Sequence, residues 1–278
     1  MPLFISSINS GSNGNCYYIG NKDEAVLVDA GLYCKEIEKR MKRQDLDIKK
    51  VKAIFISHEH ADHISGLRSL SKKHQIPVYI TDHTLRNTHL RIEKHLINSF
   101  KETDSISIGG LSVTAFKKSH DASDPHSFIV SGDKVNVGVF TDIGFACKPL
   151  INYFSQCHAA FLETNYCENM LMTGSYPQFL KKRISSRKGH LSNSQALELF
   201  TRYKGKHLSY LILSHLSKNN NTPELVNELF NQHAGSTTIV IASRYEETPV
   251  YCVEQSDDAK ALKHARTSEP ERVQLSLF

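Results

Sequence analysis

The stretch that most constrains this chain is Ser57-His58-Glu59-His60-Ala61-Asp62-His63, directly behind the apolar run Val51-Lys52-Ala53-Ile54-Phe55-Ile56. Three histidines and an aspartate within six residues make poor packing material, because imidazole and carboxylate are costly to bury without partners. The apolar run reads as a buried strand. The polar cluster therefore falls at its carboxyl end, where open α/β sheets place their chemistry. At this spacing a turn can aim His58 and His60 at one point and Asp62 and His63 at a second point nearby. Such a donor set suits a borderline divalent ion such as zinc, with manganese or iron as alternatives. The competing reading is a histidine-rich surface loop, which one His-x-His fits and His-x-His-x-Asp-His behind a strand fits poorly.

Further along, the same arrangement returns three times. His120 follows a tight hairpin over residues 106–116, Asp142 follows Val135-Asn136-Val137-Gly138-Val139-Phe140-Thr141, and His215 follows Leu208-Ser209-Tyr210-Leu211-Ile212-Leu213-Ser214. Each is a candidate ligand capping an apolar β-run. Earlier in the chain, residues 4–8 and 15–19 read as a hairpin joined by the Ser10-Gly11-Ser12-Asn13-Gly14 turn. Residues 24–28 read as a strand ending in Asp29-Ala30-Gly31, and 77–81 as another. Helices are expected over 35–43, 64–73 and 194–204, with a solvated basic helix within 82–100. The nine histidines other than these ligand candidates and His190 have no spacing that makes a site.

Composition narrows the class. Over 278 residues, 40% are hydrophobic and 23% charged, ordinary values for a soluble globular enzyme. The sequence has no apolar run long enough to span a bilayer. Its start, Met-Pro-Leu-Phe-Ile-Ser-Ser, lacks the basic and apolar regions of a secretory signal. The six cysteines are scattered without a Cys-x-x-Cys pair, which suits reduced thiols in a cytoplasmic protein. The net charge of +5 leans mildly toward polyanionic partners.

The order His-x-His-x-Asp-His, His, Asp, His resembles the metallo-β-lactamase superfamily, which implies an α/β chain folded as a four-layer αββα sandwich. By that resemblance His58, His60 and His120 hold one divalent ion, and Asp62, His63 and His215 a second, with Asp142 bridging them. Asp62 is also expected to orient the nucleophile, and Asp29 to support the metal histidines from behind. Members of the superfamily cleave β-lactams, thioesters, lactones and phosphodiesters, so the metal motif alone leaves the substrate open. Gly189-His190-Leu191-Ser192 ahead of a helix resembles the Gly-His-Ser-Thr loop of its transfer-RNA processing nucleases. There a non-ligand histidine contacts the scissile phosphate and protonates the leaving oxygen. Lys181, Lys182, Arg183, Arg187 and Lys188 precede it as candidate nucleic-acid contacts.

Ser-Gly-Ser-Asn-Gly-Asn, Asp-Ala-Gly, Ser-His-Asp-Ala, Thr-Asp-Ile-Gly, Gly-His-Leu-Ser-Asn and Leu-Ser-His-Leu-Ser together resemble the narrower YycJ/WalJ-like family. That resemblance implies a 5′-to-3′ DNA exonuclease with links to mismatch repair, using two zinc or manganese ions. The chain departs from the family at Glu163-Thr164-Asn165-Tyr166-Cys167, where a histidine and an acid are expected after Asn165. The alternative is a hydrolase of small phosphodiesters or thioesters. A non-enzymatic adaptor is disfavoured by the full ligand set.

The expected organisation is a hydrolase domain over 1–253 and a flexible tail over 254–278, whose composition turns charged and small. The tail ends in Gln274-Leu275-Ser276-Leu277-Phe278, which resembles the bacterial sliding-clamp binding peptide. Gln274 would fill a polar pocket on the clamp, and Leu275, Leu277 and Phe278 an apolar one. DNA and the clamp are thus the expected partners, with no membrane.

Overall fold

The computed structural model describes residues 1–255. Gln274, Leu275, Leu277 and Phe278, expected to bind the clamp, lie outside the described residues. Six strands begin the chain: β1 (Leu3–Asn9), β2 (Cys16–Gly20), β3 (Ala25–Val28), β4 (Val51–Phe55), β5 (Val78–Tyr79) and β6 (Ile97–Asn98). Seven more form a second sheet: β7 (Ser105–Ile108), β8 (Leu111–Lys117), β9 (His126–Gly132), β10 (Val135–Phe140), β11 (Ala159–Glu163), β12 (Tyr210–Ser214) and β13 (Thr238–Ile241). The last strand among the described residues, β14 (Tyr251–Val253), returns to pair with β1 and completes a seven-stranded first sheet.

Period-two alternation sorts the side chains into layers. Val26 and Val28 of β3 point into a core shared with Phe161 and Ile212 of the second sheet. Their neighbours Ala25 and Leu27 point outward, against Ile37 and Met41 of α1 (Cys34–Arg43). In the second sheet Ala159 and Phe161 face inward, whereas Ala160 and Leu162 face an outer helical layer. Aromatic rings tie the sheets together, Phe55 stacking on Tyr79 at 4.6 Å and meeting Phe128 across the interface at 5.7 Å. The result is the expected αββα order of four layers.

Two expectations about helices are corrected. Residues 64–73 form two helices, α2 (Ala61–Ile64) and α3 (Leu67–His74), so the first helix starts inside the histidine motif. The break falls where Gly66 lies against the Leu32 carbonyl and donates its N–H to Ala30, a fit without room for a side chain. Residues 82–100 are not one solvated helix. A short α4 (Asp82–Asn87) gives way to a single 3-10 turn and β6. Buried Leu96 and Phe100 draw this segment back onto the sheets, and that burial outweighs the helical pattern of its polar residues.

Five helices follow: α5 (Lys148–Phe154), α6 (Glu168–Thr173), α7 (Gln178–Ile184), α8 (Asn193–Tyr203) and α9 (Pro223–Asn231). Leu150, Phe154, Leu199, Phe200 and Phe230 from α5, α8 and α9 cover the outer face of the second sheet. Among the described residues no helix is long and apolar enough to cross a membrane. Strand direction matters most for the site. Strands β10, β11 and β12 are mutually parallel, and β8 runs the same way because it is antiparallel to β9, itself antiparallel to β10. The carboxyl ends of β8, β10, β11 and β12 therefore share one edge.

Candidate metal centre

That edge gathers the seven residues expected as ligands. His58 and His60 lie on the loop after β4, Asp62 and His63 in α2, and His120, Asp142 and His215 just beyond β8, β10 and β12. Donor atoms of His58, His60 and His120 come within 4.8 Å of one another, as do those of Asp62, His63 and His215. Asp142 lies between the groups: its Oδ2 is 3.1 Å from His63 Nε2, and its Oδ1 is 3.1 Å from His215 Nδ1 and 3.9 Å from His120 Nε2.

The surrounding structure holds these side chains before any ligand arrives. Asp29 is fully buried and accepts hydrogen bonds from the Ser57 backbone N–H (2.8 Å), Ser57 Oγ (2.9 Å) and His63 Nδ1 (2.7 Å). The last bond fixes the tautomer of His63 and leaves Nε2 facing the cluster. Asn15 Nδ2 donates to Asp62 Oδ2 at 3.1 Å, and Ser10 Oγ accepts the His215 backbone N–H at 2.7 Å. The first hairpin loop is therefore more than a turn. Asp29, Asp142 and His215 have φ of 62°, 55° and 57°. Left-handed backbone costs a non-glycine residue about 1–3 kcal/mol, and it clusters where geometry serves a site.

Electrostatics point to cations. Burial opposes the charge on His63, yet Asp29, Asp62 and Asp142 hold its pKa well above the ordinary imidazole value. His215 is likewise opposed by burial and raised by Asp142, Asp62 and Glu163, to about 10. Burial also opposes the Asp142 carboxylate, but His215 and His63 keep its pKa well below the usual range. His120, by contrast, is pushed down to about 4, chiefly by burial. Burial and the neighbouring carboxylates thus pull the imidazoles of this cluster in opposite directions. His120 Nε2, His215 Nε2 and Asp142 Oδ2 are buried without a hydrogen-bond partner. Unsatisfied atoms converging from separate strands are what a metal's donors look like without the metal. The residues present fit divalent cations.

His190 stands at the rim, 20% exposed, with Nδ1 donating to Glu163 Oε1 at 2.7 Å and lying 3.6 Å from Asp142 Oδ1. Glu163 closes β11 and is fully buried. Its Oε1 also accepts from His215 Nδ1 at 3.0 Å, while Oε2 accepts the backbone N–H groups of Ile143 (2.7 Å) and Leu191 (3.0 Å). Burial opposes its ionisation, but His190 and His215 lower its pKa to about 2. Sequence reasoning passed over Glu163, Asn15 and Ser10. The available signal for Glu163 was a charged residue ending the run Ala159-Ala160-Phe161-Leu162. At the expected departure from the family, Tyr166 instead bridges to Ser192 beside α8.

Of the five cations proposed to grip nucleic acid, Lys181, Lys182 and Arg183 lie on α7 and Arg187 and Lys188 on the turn leading to His190. Arg183 Nε pairs with Asp121 Oδ2 at 2.5 Å, Lys181 Nζ donates to the Met172 carbonyl, and Arg187 lies 4.1 Å over the Phe145 ring. Lys182 and Lys188 are exposed.

Residues 24–215, from β3 through the last candidate ligand, match the family described as Beta-lactamase superfamily domain. The exodeoxyribonuclease YycJ of Bacillus anthracis is 33% identical over 233 residues, which are 81% of this chain and 86% of that protein. The exodeoxyribonuclease WalJ of Streptococcus pneumoniae is 33% identical over 230 residues, 79% of this chain and 84% of its own. Among solved structures, the metallo-β-lactamase fold protein YhfI from Bacillus subtilis superposes with a TM-score of 0.71 at 16% identity. The superposition covers 91% of this chain and all of YhfI, which establishes likeness of fold. These matches assign the chain to the metallo-β-lactamase superfamily, in the family of the YycJ and WalJ exodeoxyribonucleases.

Proposed function

We propose that this metal-dependent hydrolase is a cytoplasmic 5′-to-3′ DNA exonuclease that uses two zinc or manganese ions, acts in mismatch repair and is tethered to the sliding clamp. The observation that carries the reading is the His190–Glu163 pair beside the ligand cluster, at the end of a basic segment. A hydrolase of small phosphodiesters or thioesters needs no basic approach segment beside such a pair. Two divalent cations, when bound, would supply an acidified water and neutralise charge on the phosphodiester. His58, His60 and His120 would hold one, Asp62, His63 and His215 the other, and Asp142 both. Asp62 orients the attacking oxygen from its place between Asn15 and His215. Glu163 fixes the His190 ring through Nδ1, so that Nε2 is the atom that gives a proton to the leaving oxygen. Lys181, Lys182, Arg183, Arg187 and Lys188 attract the strand toward this edge.

The test is a nuclease assay on end-labelled linear duplex DNA with manganese or zinc, wild type beside Asp142→Asn. Metal-dependent release of nucleotides from the 5′ end, lost in the variant, is the expected result. No release with either metal would overturn the exonuclease and favour a small-ester substrate. The tether rests on the sequence of the tail, since a short apolar clamp-binding peptide joined to the enzyme raises its effective concentration at DNA. Deleting residues 274–278 should abolish clamp binding and spare cleavage of free DNA, and clamp binding by the truncated protein would remove the tether.

A further inference from the structure

No residue of helix α7 is fully buried, and Leu180 and Ile184 of its apolar face are only half-buried. The helix presents Phe179 to solvent at 73% exposure. One exposed apolar side chain is unremarkable by itself, and the position is what distinguishes this one. Spacings of three and four residues put Phe179 on one helix face with Lys182 and Arg183. Arg183 reaches Asp121, whose Oδ1 lies 3.3 Å from His120 Nε2, so this face abuts the metal centre. At the carboxyl end of α7 the Ile184 carbonyl accepts the His190 backbone N–H at 2.9 Å. Phe179 precedes Ile184 by five residues, about 7.5 Å along a helix axis, on the order of two stacked nucleotides at about 3.4 Å each.

We propose that Phe179 is a stacking platform for an unpaired base of the strand whose phosphodiester lies at the metal centre, with Lys182 and Arg183 holding the adjoining phosphates. The inference rests on the exonuclease reading above and adds a base-binding subsite to it. An aromatic face interleaved with cations is how proteins hold single strands without regard to sequence. A protein partner would call for a wider apolar patch than one ring among charges. Base faces are hidden inside a duplex, so the subsite takes the end nucleotides only once they have separated from their complement.

The chain contains no tryptophan, so Phe179→Trp creates a single fluorescent reporter at the subsite. In the metal-loaded full-length protein, its emission should be quenched by a cleavage-resistant phosphorothioate oligothymidylate. Phe179→Ala and Phe179→Leu should each raise KM for DNA about ten-fold, with Phe179→Trp restoring it, because stacking needs a flat ring. A substrate carrying one abasic position, moved stepwise from the 5′ end, should slow wild type at one or two positions. It should not slow Phe179→Ala further. Absence of quenching, full activity in the leucine variant, or equal abasic penalties in wild type and Phe179→Ala would overturn the subsite while leaving the exonuclease intact. Failure of wild type itself to degrade DNA would overturn the reading on which the subsite rests.

Discussion

Replacing Glu163 by glutamine keeps the shape of a fully buried side chain and removes its charge. Every contact it makes is with a donor: His190 and His215 Nδ1 on one oxygen, Ile143 and Leu191 N–H on the other. The new NH2 must replace one of these oxygens. Facing Ile143 and Leu191, it leaves two backbone donors unsatisfied, at about 1–3 kcal/mol each, or about 2–6 kcal/mol together. Facing the histidines, it drives both to the tautomer protonated at Nε2. That tautomer denies His215 Nε2 to a metal, and losses at such supporting contacts run to about 10–100-fold in affinity. It also strips His190 of its anchoring proton, and correct general acid catalysis accounts for about 10²–10⁴ in rate. Glu163→Gln should therefore lose about 10²–10⁴ in single-turnover release of nucleotides from end-labelled DNA, measured across a metal titration, with either weaker metal binding or a lower unfolding midpoint. A variant within threefold of wild type in rate, with unaltered metal affinity and stability, would refute the assigned role of this carboxylate.

Three other outcomes follow from the same geometry. Binding of zinc at pH 7 should release protons, that of His215 among them, in calorimetry repeated in buffers of different ionisation enthalpy; no proton release would contradict the raised pKa of His215. Asp29→Asn should weaken metal binding about 10–100-fold in chelator competition, because His63 Nδ1 loses its ionised acceptor. In metal-stripped protein His215 has a folded pKa of about 10, raised from 6.5. Its contribution is complete below pH 6.5 and lost as pH rises through about 10, so metal-free unfolding midpoints should fall across that window. A midpoint unchanged from pH 6.5 to 10 would contradict this.

The comparison of sequence with structure turns on how local each signal is. Candidate ligands were legible where a group that burial penalises breaks an apolar run, as His58 does after β4 and His215 after β12. The four layers were implied by the superfamily resemblance, whereas β3 and β11 read as unbroken apolar runs, so only packing shows which of their residues face which core. Glu163 breaks its run in the same way, yet a single glutamate after a strand has many readings. Only the parallel register decides its role, pairing Phe140 with Leu162 and Glu163 with Ser214. That pairing sets its carboxylate between the residues that follow β10 and β12, with His190 brought in from the far side of α7. The division of 64–73 into two helices was decided the same way, by a carbonyl of Leu32 more than thirty residues earlier pressing on Gly66. What the sequence determined by itself was the chemistry present and the edge that carries it, because burial costs and side-chain periodicity act within a few residues. The tertiary structure decided which carboxylate orients which imidazole, because a hydrogen bond depends on distances that only the packing of separate strands sets.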